Sequence, residues 1–256
     1  MIKKAARRIS RYVQRQHNQH VNRLCLKKSS EKLKTFHKLH EGKRCFIVGN
    51  GPSLRVEDLQ KLEHEICFGS HRIYKIFGET QWRPDYYCAQ DSKLVNESID
   101  EINQMDLAEK FIAVVPDRHY EPLKHVNYVH LIEEEFYPQL PKFSSDISKG
   151  VYEGYTVSYM CLQLAVYMGF QEIYLLGIDH NYSVTLLPNG ELLENKNIQD
   201  HFSSEDVTAS TPQLFKSTLS YQAARKYADA NGIKILNATR GGKLDAFERV
   251  DFDTLF

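Results

Sequence analysis

From residue 43 onward, short apolar runs recur along the chain, each closed by glycine or by polar turn residues. The first is RCFIVG at 44–49, and further runs stand at 66–70, 86–90, 110–115, 126–132, 172–177 and 234–237. Runs of this length rich in Val, Ile, Phe and Tyr predict strands, and EIYLLG at 172–177 is the clearest buried one. Between them lie stretches with helical character. Residues 155–168 are strongly apolar and long enough for a buried helix. In 211–230, Leu214, Leu219, Ala223, Ala224 and Ala228 recur at helical spacing, and Gly232 stands where a helix-stopping glycine is expected. Strands alternating with helices predict an α/β fold with a mainly parallel sheet and helical crossovers. Such sheets bind ligands at the carboxyl ends of their strands, so the chemistry is expected in the loops there.

Two connections stand out. Residues 133–149 are weakly patterned and read as a loop or small insert. Residues 180–211 are polar and carry Asn, Gly and Ser; a connection that long without regular structure is a functional lid or a disordered segment. No internal repeat or low-complexity segment is present.

The first 42 residues follow another pattern. Residues 2–25 read as a basic helix with a ragged apolar stripe (Ile2, Ala5, Ile9, Tyr12, Val13, Val21, Leu24). Ser29 and Ser30 predict a break, with a second short basic helix over 31–39. The expected organisation is a basic helical arm, 1–42, before an α/β domain, 43–256. Lys+Arg and Asp+Glu both number 33 and the net charge is zero, so overall charge gives no reason to expect a nucleic-acid partner. The first 44 residues, however, contain only Glu31 and Glu41 as acids. This asymmetry suggests an arm that touches something anionic. Three readings stay open: a solvated helix, an oligomerisation contact, or peripheral docking on an anionic membrane.

Five scattered cysteines with no C-x-x-C pair make poor disulfide or zinc arithmetic and suit a reducing compartment. No run approaches the roughly 18 apolar residues of a membrane-spanning helix, and the basic start lacks the apolar core of a signal peptide. A cytoplasmic protein is expected, peripheral at most to the inner membrane.

Candidate chemistry gathers at strand ends. Gly49-Asn50-Gly51-Pro52-Ser53 follows the first strand, where glycines permit close backbone approach and free N–H groups can meet a phosphate or ribose. Ser53 is a candidate cap for the next helix. The loop lacks Gly-Lys-Ser/Thr, and Leu54 stands where G-x-G-x-x-G needs its third glycine. Asp179-His180-Asn181-Tyr182 ends the clearest strand. Ser70-His71 and Gln90-Asp91 each follow a strand. Thr156 and Ser158 open the apolar helix, whose N-terminus offers unpaired N–H groups and a positive dipole end. His201 lies in the long polar loop, and histidine suits general-base work near neutral pH. Neither D-x-D nor H-E-x-x-H occurs, and no Cys/His cluster has ligand spacing, so neither a metal nor a cofactor is expected.

GNGPSL at 49–54, followed by a helix and GFxEIYLxGID ending at Asp179, resembles the bacterial family 42 sialyltransferases. It is equally similar to the wider group containing motility accessory factors and archaeal hydroxymethylpterin diphosphokinases. The resemblance spans about residues 43–240 and implies a Rossmann-like three-layer sandwich of the GT-A-variant type, with 43–256 as the nucleotide-binding catalytic domain. It implies metal-independent, inverting transfer of a sugar from a CMP-sugar or other nucleotide-sugar donor to a glycan or lipid-linked acceptor. By that resemblance Gly49, Asn50 and Gly51 meet the nucleotide. Ser70, His71, Gln90, Asp91, Thr156, Ser158, Asp179, His180 and Asn181 line its site. His201 serves as base and Tyr182 assists the leaving phosphate. The sequence departs from the sialyltransferase pattern in having Ser70-His71 for an Asn-Gln pair, Val157 for a Ser, and Asn181 for a Tyr. The alternatives are an ATP-dependent diphosphokinase of the hydroxymethylpterin type and a non-catalytic nucleotide- or sugar-binding module.

Overall fold

The computed structural model describes residues 2–203 and 210–256. A long helix, α1 (Ile2–Lys34), opens the chain. The α/β unit then runs β1 (Arg44–Val48), α2 (Val56–Lys61), β2 (Cys67–Ser70), a 3-10 helix (His71–Gly78), β3 (Tyr86–Ala89), α3 (Ser92–Glu97), α4 (Ile99–Gln104) and β4 (Glu109–Val114). It continues through β5 (Asn127–Ile132), β6 (Val151–Tyr152), α5 (Val157–Tyr167), β7 (Glu172–Leu176) and a hairpin of β8 (Val184–Leu186) and β9 (Leu192–Glu194). It closes with α6 (Leu214–Ala230), β10 (Lys234–Asn237), β11 (Glu248–Arg249) and a short 3-10 turn.

Nine strands form one sheet in the order β11-β10-β7-β1-β2-β3-β4-β5-β6, parallel at every pairing. All seven strands expected from the apolar runs are present. Their central members are buried on both faces because helices cover both sides. On one side α5 and α6 pack Met160, Leu164, Ala224 and Ala228 against Ile47, Phe111 and Leu175. On the other, Leu59 of α2, Val95 of α3 and Ile102 of α4 cover Phe46, Tyr87, Ile112 and Leu176. The architecture is thus the Rossmann-like three-layer sandwich.

Chain order reverses at the middle of this sheet. From β1 the chain steps through β2 to β6 in one direction; it then returns to β7 on the opposite flank of β1 and continues outward. The loops after β1 and β7 therefore diverge at a topological switch point, where a crevice forms. Glycine brings the two backbones together there: a Cβ on Gly49 would stand 2.5 Å from the Gly177 carbonyl oxygen.

The N-terminal region corrects one expectation. Ser29 and Ser30 do not break the helix; α1 is continuous from Ile2 to Lys34 and turns, with no second helix, follow it. The reason is tertiary. Ser29 Oγ accepts the Tyr128 backbone N–H (2.9 Å) and Ser30 Oγ donates back to the Lys27 carbonyl (2.8 Å). Ser29 thereby seals β5 where its outer edge lacks a strand partner, since β6 pairs only with Leu131 and Ile132. Leu33 and Phe36 are buried in the core.

Other differences are local. The helix expected from 155 begins at Val157, and the one expected from 211 begins at Leu214. The 133–149 stretch is irregular. The 180–211 connection contains the β8–β9 hairpin, and its residues 204–209 lie outside those described. The five cysteines are free. Among the described residues no helix is long and apolar enough to cross a membrane.

Candidate functional site

A cleft opens along the carboxyl edge of the sheet. It has a wide lobe of about 380 Å³ and a narrower one of about 110 Å³, joined through Asn50, His71, Thr156, Tyr182 and His201. Each wall comes from a strand end, as the parallel topology requires. Asn50 follows β1, His71 follows β2, Gln90 and Asp91 follow β3, and Tyr182 follows β7.

The narrow lobe is the switch point. Gly49, Gly51, Ser70, Ser158, Asp179, His180 and Asn181 line it. Asp179 organises the turn: its Oδ2 accepts from Ser53 Oγ (2.7 Å) and more weakly from the Ser53 N–H (3.4 Å). A Cβ on Gly51 would collide with this carboxylate at 1.9 Å, which explains glycine there. Burial pushes the Asp179 carboxyl up from its ordinary range, against the lowering effect of the Ser53 bonds. Ser53 therefore does not cap α2. That helix begins at Val56 after Arg55, without a side-chain cap. Pro52 and Ser53 line neither lobe. The His180 ring turns away from the turn, bonding Thr218 Oγ1 at 2.8 Å and packing edge-on against Tyr221.

His201 sits between two anchors. Asp200, just before it, holds the Ser183 backbone N–H (2.5 Å) and Oγ (3.1 Å). Just after it, the Phe202 N–H donates to the Asn50 carbonyl (2.9 Å). The loop beyond Asp179 is thus fastened to the turn after β1, and His201 faces the cleft shared by both. His71 lies close to His201. Burial holds the His71 imidazole down at about 4, against the raising effect of Asp91. Burial also raises the Tyr182 phenol, so it remains a neutral donor.

Two amides face the cleft with fixed orientation. Asn50 Nδ2 donates to the Ser70 carbonyl (2.9 Å) and Gln90 Nε2 to the Glu153 carbonyl (3.3 Å). Their oxygens, Asn50 Oδ1 and Gln90 Oε1, are buried without a hydrogen-bond partner, and Gln90 as a whole is only 7% exposed. A buried acceptor in that state costs free energy until a donor meets it. At the far wall Thr156 caps α5, its Oγ1 accepting the Ser158 N–H. Asp91 caps α3, accepting from Lys93 N (2.9 Å) and Leu94 N (3.1 Å).

The wide lobe also contains residues that the sequence reading did not single out. Arg118 follows β4, so the strand-end rule would have found it. Glu153 comes from the stretch around the two-residue β6, where no local pattern marks it. Burial raises its carboxyl, with the Glu133 charge adding to the effect. Among the described residues no three of His, Cys, Asp or Glu converge as metal ligands would.

Residues 18–185 match the family model described as 6-hydroxymethylpterin diphosphokinase MptE-like. Among solved structures, the MAf glycosyltransferase from Magnetospirillum magneticum AMB-1 is similar in fold, with a TM-score of 0.50 at 12% identity. The similarity covers 86% of this chain and 35% of that one, so this chain spans about a third of that protein's length. A search of curated proteins gives no match.

Proposed function

Because the chain belongs to the 6-hydroxymethylpterin diphosphokinase MptE-like family, we propose that its cleft binds a nucleotide and that the protein is a glycosyltransferase of surface-glycan assembly using a nucleotide-sugar donor. A CMP-sugar is favoured. The observation that carries the reading is the pair of buried, unpartnered acceptors, Asn50 Oδ1 and Gln90 Oε1, in one cleft with His201 and Tyr182. Amino or hydroxyl groups of a nucleoside supply the missing donors.

In this reading the acceptor hydroxyl attacks the anomeric carbon and gives its proton to the His201 imidazole. The new C–O bond forms as the bond from the anomeric carbon to the donor phosphate breaks. That electron pair passes to the phosphate, where the Tyr182 hydroxyl and the N-terminus of α5 stabilise it. His71, held neutral, adds no positive charge beside the base. A single phosphate leaving group gathers less charge than a diphosphate and suits a site built of hydroxyls and amides.

A diphosphokinase, the activity in the family's description, needs carboxylates to grip a metal–nucleotide. Three acids that line the cleft, Asp179, Asp200 and Asp91, are engaged with Ser53, with Ser183 and with the start of α3. This favours glycosyl transfer. The test is a thermal-shift panel of CMP, CDP, UDP, GDP and ATP, each with and without Mg²⁺. CMP is expected to raise the melting temperature without metal, by mass action on the folded state. A response to ATP with Mg²⁺ alone would move the assignment to the diphosphokinase. No response to any nucleotide would overturn the nucleotide site.

A further inference from the structure

The long basic helix carries chemistry that the cleft does not use. Helix α1 runs antiparallel to β4. Lys32 pairs with Glu109 at the start of that strand (2.6 Å). Ten residues earlier, Asn22 Nδ2 donates to the carbonyls of Val115 (3.3 Å), Pro116 (3.0 Å) and Arg118 (2.8 Å) beyond its end. Asn18 is buried against the same loop, and Arg15 forms an ion pair with the Asp117 carboxylate. The helix before Asn18 therefore projects past the carboxyl edge of the sheet, the edge at which the cleft opens. At about 1.5 Å per residue, its sixteen residues reach roughly 24 Å.

Residues 7–17 of this projection are all exposed. Asn18, Asn22, Ser29 and Leu33 mark the face turned to the body. At 100° per residue, Ile9 and Val13 fall on the opposite face and Tyr12 on its flank, and they are 64%, 59% and 64% exposed. Leu24 continues that row at 55% exposed. Seven cations stand between residues 7 and 28 (Arg7, Arg8, Arg11, Arg15, Arg23, Lys27 and Lys28), and the first acid is Glu31.

We propose that this face docks on an anionic lipid bilayer and holds the cleft mouth at the membrane surface. Charge decides the occupant. A second copy would bring an equally basic helix against this one. An anionic bilayer takes the apolar side chains at its acyl boundary, and its surface charge attracts the cations carried around the helix. Three or four apolar side chains bind weakly by themselves, so the association depends on charge and weakens with salt. The Asn22 bonds fix the arm to the loop carrying Arg118, a cleft residue, so a docked arm sets the orientation of the cleft.

The test is sedimentation of the full chain with vesicles of phosphatidylcholine, or of phosphatidylcholine and phosphatidylglycerol in equal parts. Light scattering of the free protein follows its oligomeric mass. The proposal needs no donor, acceptor or turnover, so it stands or falls apart from the glycosyltransferase reading. The full chain is expected to pellet with the anionic vesicles, to remain in solution with the neutral ones, and to be released by high salt. The triple variant Ile9→Ser, Tyr12→Ser, Val13→Ser and the triple variant Arg7→Gln, Arg8→Gln, Arg11→Gln should each lose about tenfold or more in vesicle binding. Their melting temperatures should match the parent's, because these side chains are exposed. Equal partition into both vesicle types, or triple variants that bind like the parent, would overturn the proposal. So would an apolar triple variant that lowers the oligomeric mass without changing vesicle binding, which would make the face a self-contact.

Discussion

At the scale of single residues, the site depends on side chains fixed from both directions along the chain. His201 is positioned by its neighbours, Asp200 on Ser183 and Phe202 on Asn50, rather than by a helix or strand. A general base contributes about 10²–10⁴-fold, so His201→Ala should lower kcat by that range and leave the melting temperature unchanged. Assay of nucleotide-sugar turnover checks this, and an unaltered kcat would remove His201 from its role. His180 makes a different prediction. Burial holds its pKa at about 4 against an ordinary 6.5. The unfolded chain therefore binds more protons here between those values. The contribution to stability is complete above about pH 6.5 and is lost as pH falls towards 4. His180→Asn keeps a residue that tolerates the local φ of +51° and removes the titration. Its melting temperature should fall less steeply than the parent's over that window; parallel curves would refute the assignment.

At the scale of elements, α1 shows how tertiary contacts override local signals. Two consecutive serines read as a stop, yet their hydroxyls find partners at Tyr128 and Lys27 and the helix continues. The same helix carries the buried Asn22, whose amide serves three carbonyls of the loop after β4. Asn22→Ala would leave those carbonyls without that donor, at a cost of about 1–3 kcal/mol. Chemical denaturation should show a loss of that size, and a change within error would mean that water replaces the amide fully. The apolar runs made β1, β2, β3, β4 and β7 legible because burial on both faces writes itself as a continuous apolar stretch, while β5 shows as an alternation. The two-residue strands β6 and β11 carry no such stretch. Their pairing is set by the neighbour they reach.

At the scale of the whole molecule, the cleft follows from topology. Asn50, His71, Gln90, Tyr182 and His201 were legible as candidates because strand ends are where parallel sheets place ligands. Glu153 was not, because only the folded chain brings it under Gln90. The engagement of Ser53 with Asp179 was equally hidden; a serine beside a coming helix reads as a cap, and its true partner is 126 positions away.

The pairing of β1 with β7 has a consequence for synthesis. Arg44 lies opposite Glu172, so the central strand leaves the ribosome about 130 residues before its neighbour. At about 5–20 residues per second, translation leaves one flank of that strand as an open row of unpaired amides for on the order of ten seconds. A nascent chain in this state is a target for chaperones and a template for wrong pairing. The cleft gains its second wall only when the later half of the polypeptide arrives.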